Sequence, residues 1–245
     1  MQRLDLALVA RGLSPTRARA RDAILRGAVT VDGRAATKAG QGVDEAAAIA
    51  LDDPAARYVS RAALKLVAGL DAFGIDPSAR SALDVGASTG GFTQVLLERG
   101  AAHVVALDVG HGQLAPELHV DGRVTAIEGM NARDLDSRSL PRPFDLVVAD
   151  VSFISLRLAL APALDMAPAG AECVLLVKPQ FEAGRDALDS RGVVRDQAIA
   201  GRTARDLARW LGQLAGWHVL GLVPSPIKGG DGNAEWLLGG RKDGR

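Results

Sequence analysis

The stretch Leu83-Asp84-Val85-Gly86-Ala87-Ser88-Thr89-Gly90-Gly91-Phe92-Thr93 limits the possible folds more than any other part of the chain. Leu83 to Val85, entered from Ser81-Ala82, reads as a short buried strand. Gly86 to Gly91 is a glycine-rich loop, and Phe92 to Arg99 is a helix ended by Gly100. A strand, a bare turn and a helix N-terminus bring backbone N–H groups and the positive end of a helix dipole to one point. Glycine is required there because a side chain would stand between the backbone and a ligand.

Spacing narrows the ligand. A dinucleotide fingerprint reads Gly-x-Gly-x-x-Gly, whereas this loop reads Asp84-x-Gly86-x-x-x-Gly90-Gly91. The departure argues against a nicotinamide, and the loop resembles the first motif of S-adenosylmethionine-dependent methyltransferases. A glycine-rich turn needed only for packing is the competing reading. Beyond the loop, strand and helix patterns alternate, which predicts a parallel sheet covered on both faces. His103–Asp108 is the second strand. Its terminal Asp108 lies 24 residues beyond Asp84, about where an acid meets ribose hydroxyls in nucleotide-binding α/β folds. Residues 124–127 form a third strand, and Asn131 or Asp134 after it stands where an adenine edge is read. Residues 144–150 and 172–177 supply two more strands, ending at Asp150 and just before Lys178. A helix runs to about Leu214, and residues 217–223 and 235–238 form a closing antiparallel pair.

Residues 1–52 follow another pattern. A helix over 3–11 is closed by Gly12, Ser14-Pro15 supplies an N-cap and first-turn proline for a helix over 16–26, and Gly27 ends it. Residues 29–31 are a strand, Asp32-Gly33 is a hairpin turn, and residues 48–51 are a further strand. Up to Lys38 the bases Arg3, Arg11, Arg17, Arg19, Arg21, Arg26, Arg34 and Lys38 face only Asp5, Asp22 and Asp32. Such a cluster is either a solvated helix face or a cationic surface for phosphates. The order helix, Gly-Leu-Ser-x-x-Arg, helix, Gly-x-Val-x-Val-Asp-Gly resembles the S-four type of RNA-binding module. That resemblance implies binding to structured RNA.

Residues 53–59 form a polar, proline-containing linker, which sets domain boundaries at 1–52 and 60–245. Ser60 is expected to cap a helix over 61–73 whose stripe Leu66, Leu70 and Phe73 faces inward, with Lys65 beside it. Four polar residues thus stand in apolar settings: Lys65, Asp150, Lys178 and Glu235. Two lysines and two carboxylates suit deprotonation of an alcohol. A neutral lysine accepts the proton, a second ammonium stabilises the alkoxide, and the carboxylates hold the lysines.

Composition removes other classes. Net charge over 245 residues is zero, so only local asymmetry argues for nucleic acid. The single cysteine, Cys173, lies in an apolar run and excludes an internal disulfide. The four histidines have no partners at metal-ligand spacing, so no metal is expected. The lack of an apolar run of about 18–20 residues argues against a membrane span, and a cytoplasmic monomer is expected.

The order Lys65, Asp150, Lys178, Glu235 resembles the Lys-Asp-Lys-Glu tetrad of FtsJ-like ribose 2′-O-methyltransferases. Together with Ser60-Arg61-x-x-x-Lys65, Gly86 to Thr93, Ala149-Asp150-Val-Ser-Phe-Ile-Ser155, Val177-Lys-Pro-Gln-Phe-Glu182 and Ser225-Pro-Ile…Gly232-Asn-x-Glu235, the chain resembles the TlyA family. The resemblance implies a Rossmann-like class I methyltransferase with a mostly parallel seven-stranded sheet, preceded by a small α+β RNA-binding domain. It further implies methylation of a cytidine 2′-hydroxyl in ribosomal RNA, the large-subunit RNA being favoured from the chain's ends. S-adenosyl-L-methionine would lie on Asp84, Gly86, Ala87, Ser88, Thr89, Gly90, Gly91, Phe92, Asp108 and Asn131. Catalysis would fall to the tetrad, with Lys178 as base, and RNA binding to Arg3, Arg11, Arg17, Arg19, Arg21, Arg26 and Lys38. The family's older name of haemolysin implies a pore, which these residues do not support. Ala62-Ala63 departs from the pattern, standing where relatives carry a glycine. The alternative is an RNA-binding or ribosome-assembly factor that keeps the fold without the chemistry.

Overall fold

Two separate apolar patterns make two units, Met1–Arg57 and Tyr58–Arg245, in a computed structural model that describes residues 1–141 and 143–243. The division falls within the stretch 53–59.

In the first unit β1 (Gln2–Arg3) runs into α1 (Leu4–Ala10), followed by α2 (Arg17–Leu25), β2 (Val29–Val31), β3 (Arg34–Ala35), β4 (Gly42–Val43) and β5 (Ile49–Leu51). Leu4, Leu8, Ile24 and Val29 are fully buried and join the helices to the sheet β3-β2-β5. Asp32 and Gly33 both take positive φ, 49° and 76°, the turn that lets β2 pair with β3. The second helix is capped by Thr16, whose hydroxyl accepts from Arg19 N at 3.2 Å. Ser14, the expected cap, instead donates to Thr16 O, so Pro15 lies ahead of the helix and not in its first turn. The two-residue strands β1 and β4 pair with each other and are too short to leave a periodic signal.

The second unit begins with α3 (Ala63–Phe73), then β6 (Ser81–Val85), α4 (Gly91–Glu98), β7 (His103–Asp108), α5 (Pro116–His119), β8 (Val124–Glu128), β9 (Leu146–Ala149), α6 (Leu156–Met166), β10 (Glu172–Val177), α7 (Gln197–Gln213), β11 (Trp217–Pro224) and β12 (Trp236–Lys242). They form one seven-stranded sheet in the order β11-β12-β10-β9-β6-β7-β8. The strands from β10 to β8 are parallel, and β12 lies antiparallel to both β10 and β11. Successive side chains on a strand face opposite ways, which gives two cores. Leu83, Val85, Val147, Leu175 and Val177 pack with α6 and α7. Ala82, Val148, Val174 and Leu176 pack with α3 and α4. Helix α3 starts at Ala63, two residues later than the sequence suggests. Ser60 Oγ accepts from Ala62 N at 3.2 Å, so it closes a turn ahead of the helix and caps nothing within it.

Strand order reverses between β6 and β9, with β7 and β8 added on one side and β10 on the other. Ligands of open α/β sheets bind at this switch, outside the carboxyl ends of the strands. The residues that leave those two ends are Gly86 and Asp150.

Candidate functional site

A cavity of about 590 Å³ opens at this switch point, lined among others by Val85, Gly86, Ser88, Leu107, Asp108, Val109, Met130, Asn131, Asp150, Val151, Ser152 and Phe153. A smaller one of about 160 Å³, lined by Ser60, Ala87, Thr89, Gly91, Phe92 and Lys178, shares Gly86, Ser88, Asp150 and Ser152 with it. At Gly86 (φ 82°) a Cβ would stand 2.7 Å from Asp150 O, so only glycine lets the two strand ends meet.

The loop uses its own N–H groups differently from a phosphate cradle. Leu107 O accepts from Gly86 N at 2.8 Å and Ala87 N at 3.1 Å, and Ala87 O accepts from Gly90 N. Asp108 Oδ2 accepts from Ser88 N at 2.8 Å, and its Oδ1 accepts from Gly110 N at 2.7 Å. These bonds fix the loop and leave the remaining lone pairs of Asp108 for hydroxyl donors. Asn131 uses its Oδ1 to cap the short turn at Arg133 N, and its amide lines the large cavity. The walls from Val85, Leu107, Met130 and Val151 are apolar. A flat base joined to a sugar with free hydroxyls, such as adenosine, therefore fits better than a polyphosphate.

Asp84 has a different place from the other loop residues. It alternates with Leu83 and Val85, so it faces α4, fully buried, and accepts from Thr93 Oγ1 at 2.7 Å. It does not line either cavity. Its Oδ1 has no hydrogen-bond partner, and burial pushes its carboxyl up to about 7 despite the Thr93 bond.

The tetrad resolves into two ion pairs. Lys65 and Glu235 are buried, with Nζ 2.5 Å from Glu235 Oε2. Lys178 Nζ lies 2.6 Å from Asp150 Oδ1 and donates to Ser152 Oγ at 2.7 Å, on the wall of the smaller cavity. Among the described residues no hydrogen bond or ion pair links one pair to the other.

Three neighbours were not apparent from the sequence. Ser152 orients Lys178. Phe153 is 91% exposed at positive φ (64°), with its ring 5.1 Å from that of Phe181. Glu182 accepts from Ser155 Oγ and Leu156 N, closing the start of α6, and burial raises its carboxyl. All three lie inside the motifs at residues 149–155 and 177–182, which carry the family resemblance without showing what each side chain does.

In the first unit the predicted cationic residues divide. Arg11 donates to Ala47 O and Glu45 O, Arg19 to Ala55 O and Ala56 O, and Arg26 pairs with Asp22 and Asp53 while only 13% exposed. Arg3 and Arg17 both pair with Asp5 but remain about half exposed. Arg21 and Lys38 are exposed. Carbonyls and carboxylates of the same unit therefore take part of the hydrogen-bonding capacity of several of these cations.

The sheet order, the switch-point cavity and the antiparallel β12 define a Rossmann-like α/β unit of the methyltransferase type. Residues 58–242 match the FtsJ-like methyltransferase family and residues 2–49 the S4 domain; the chain belongs to the FtsJ-like methyltransferase family. It is 46% identical over 237 residues to the Mycobacterium tuberculosis 16S/23S rRNA (cytidine-2′-O)-methyltransferase TlyA, covering 96% of this chain and 88% of that protein. It is 39% identical to the Campylobacter jejuni 23S rRNA (cytidine-2′-O)-methyltransferase TlyA, over 74% of this chain and 69% of that protein. A solved structure from Streptococcus thermophilus, 37% identical, superposes with a TM-score of 0.76 over 99% of this chain and 88% of that one. Among the described residues no helix is long and apolar enough to cross a membrane.

Proposed function

We propose that the chain transfers a methyl group from S-adenosyl-L-methionine to the 2′-hydroxyl of a cytidine in ribosomal RNA. The observation that carries this reading is Lys178, held by Asp150 and Ser152 on a wall shared with the glycine-loop cavity. The activities of the two relatives support the choice of ribosomal RNA, and the large subunit is the first substrate to test.

S-adenosyl-L-methionine supplies an electrophilic methyl group when bound. Asp108 and Asn131 would hold the sugar and base edges of the donor, against the apolar walls from Val85, Met130 and Val151. Gly86, Ala87, Ser88, Thr89, Gly90, Gly91 and Phe92 would shape the remainder of its site. Asp84 acts beneath that loop through Thr93. As the neutral amine, Lys178 Nζ would take the proton of the ribose hydroxyl as its oxygen attacks the donor methyl, and Asp150 would stabilise the ammonium that forms. Lys65 and Glu235 support the site from within. Phe153 offers a ring face for the target nucleobase. In the first unit Arg3, Arg17, Arg21 and Lys38 would contact the RNA backbone. Arg11, Arg19 and Arg26 would add to the positive charge of that unit.

The test is incubation with methyl-labelled donor and separated ribosomal subunits, or the naked RNA of each, followed by mapping of the modified nucleotide. Label in 2′-O-methylcytidine is expected. Label on a base overturns the reaction, and binding of subunits with no incorporation leaves an RNA-binding factor in its place.

A further inference from the structure

Asp5 is 1% exposed in the first turn of α1, yet it is paired and charged. Its Oδ1 and Oδ2 accept from Arg3 Nε and Nη2, both at 3.0 Å, and Oδ2 also accepts from Arg17 Nε at 2.9 Å. The hydrogen bonds and charges of the two guanidiniums hold its carboxyl far below the usual carboxylate range. Arg3 comes from a strand and Arg17 from the start of a helix, so no local geometry would align them without the shared carboxylate. The bare backbone of Gly40 completes the seat, since a Cβ there would stand 3.2 Å from Arg3 Nη1.

A guanidinium has five N–H donors in a planar fork. Asp5 takes two from Arg3 and one from Arg17, and those side chains are still 49% and 58% exposed. Two cations on one buried anion leave a net positive charge, with unused N–H edges set in fixed directions. That is the geometry phosphate oxygens accept best.

We propose that Asp5 is a positioning residue, which orients Arg3 and Arg17 as one clamp for a phosphate of the RNA backbone. The proposal rests on the reading of the chain as an enzyme acting on RNA. It makes a prediction opposite in sign to simple electrostatics. Removing a negative charge from a cationic surface should tighten RNA binding and steepen its salt dependence. Loss of an orienting group should do the reverse.

The experiment measures binding of a labelled ribosomal RNA transcript to the full chain across a salt series. Asp5→Asn is expected to bind roughly tenfold more weakly, with the slope of log K against log salt smaller by about one phosphate contact. Arg3→Lys and Arg17→Lys, which keep charge but lose the fork, should weaken binding in the same direction. Added to an Arg3→Ala, Arg17→Ala background, Asp5→Asn should cost nothing further. Equal or tighter binding by Asp5→Asn overturns the proposal. So does a full additional loss in the double-alanine background, which would mean a general structural role. Failure of the unaltered chain to bind any ribosomal transcript would overturn the reading beneath it before a variant is compared.

Discussion

Lys65–Glu235 and Lys178–Asp150 are the same chemical pair in two settings, and the setting decides what each can do. The first is closed inside the core between α3 and the start of β12. The second stands on a cavity wall where a hydroxyl can reach Lys178 Nζ. Under the proposed function the buried pair is a brace and the pair on the cavity wall supplies the reagent. The four residues read as one tetrad in the sequence form two ion pairs in the fold.

Lys178→Ala gives the sharpest break of that contrast. It should lower methyl transfer by about 10²–10⁴-fold, the range for a lost general base, while donor binding by calorimetry and the melting temperature stay near those of the unaltered protein. Full activity in this variant would remove Lys178 from the chemistry. Glu235→Ala should act the other way round. It leaves the Lys65 ammonium buried without its partner and should cost about 3–5 kcal/mol in denaturant unfolding. Lys65→Met combined with Glu235→Leu should recover much of that stability while activity stays impaired. If the single variant unfolds like the parent, the pair is not a brace.

Asp84 extends the comparison to a buried carboxyl that, among the described residues, has no cation beside it. Its carboxyl ordinarily titrates at 3.8 and here near 7. Between those values the unfolded chain has lost the proton and the folded chain keeps it. Stability therefore falls as pH rises across that window, by up to about 1.4 kcal/mol per pH unit from this group. Asp84→Asn should remove the slope, and unfolding curves at pH 5, 6, 7 and 8 that run parallel for both proteins would contradict it. Phe153→Ala should have the smallest effect, raising KM for RNA roughly tenfold through lost stacking and leaving kcat and stability little changed. A fall in kcat alone would place the ring in the chemistry and not in binding.

What the sequence revealed follows physical scale. The strand ending at Val85, the turn of Gly86 and the terminal Asp108 were legible because a glycine loop between apolar runs admits few folds. The second strand was read with the bounds observed, His103 to Asp108. Asp84 was read with the cofactor contacts, and the structure buries it on the α4 side of the strand, because motif adjacency does not show which face of a pleated strand a residue takes. Ser14 and Ser60 look like caps, but the residue that caps α2 is Thr16, and the choice rests on where the backbone turns. The arginines of the first unit were visible as charge, whereas the acceptors that take Arg11, Arg19 and Arg26 lie up to 37 residues away. Ser152 and Glu182 belong to the family motifs but their roles stayed hidden, because those roles exist only once the loops after β9 and β10 stand side by side.

The Lys65–Glu235 pair joins residues 170 positions apart. During synthesis, the lysine emerges early and its partner near the end of the methyltransferase unit. Until β12 docks, a folding intermediate must either leave α3 undocked or carry a lone ammonium into the core, and both states are unfavourable. Closure of the last strand is therefore coupled to settling of the first helix. A nascent or truncated chain without β12 would expose that defect to proteolysis instead of holding a half-built site.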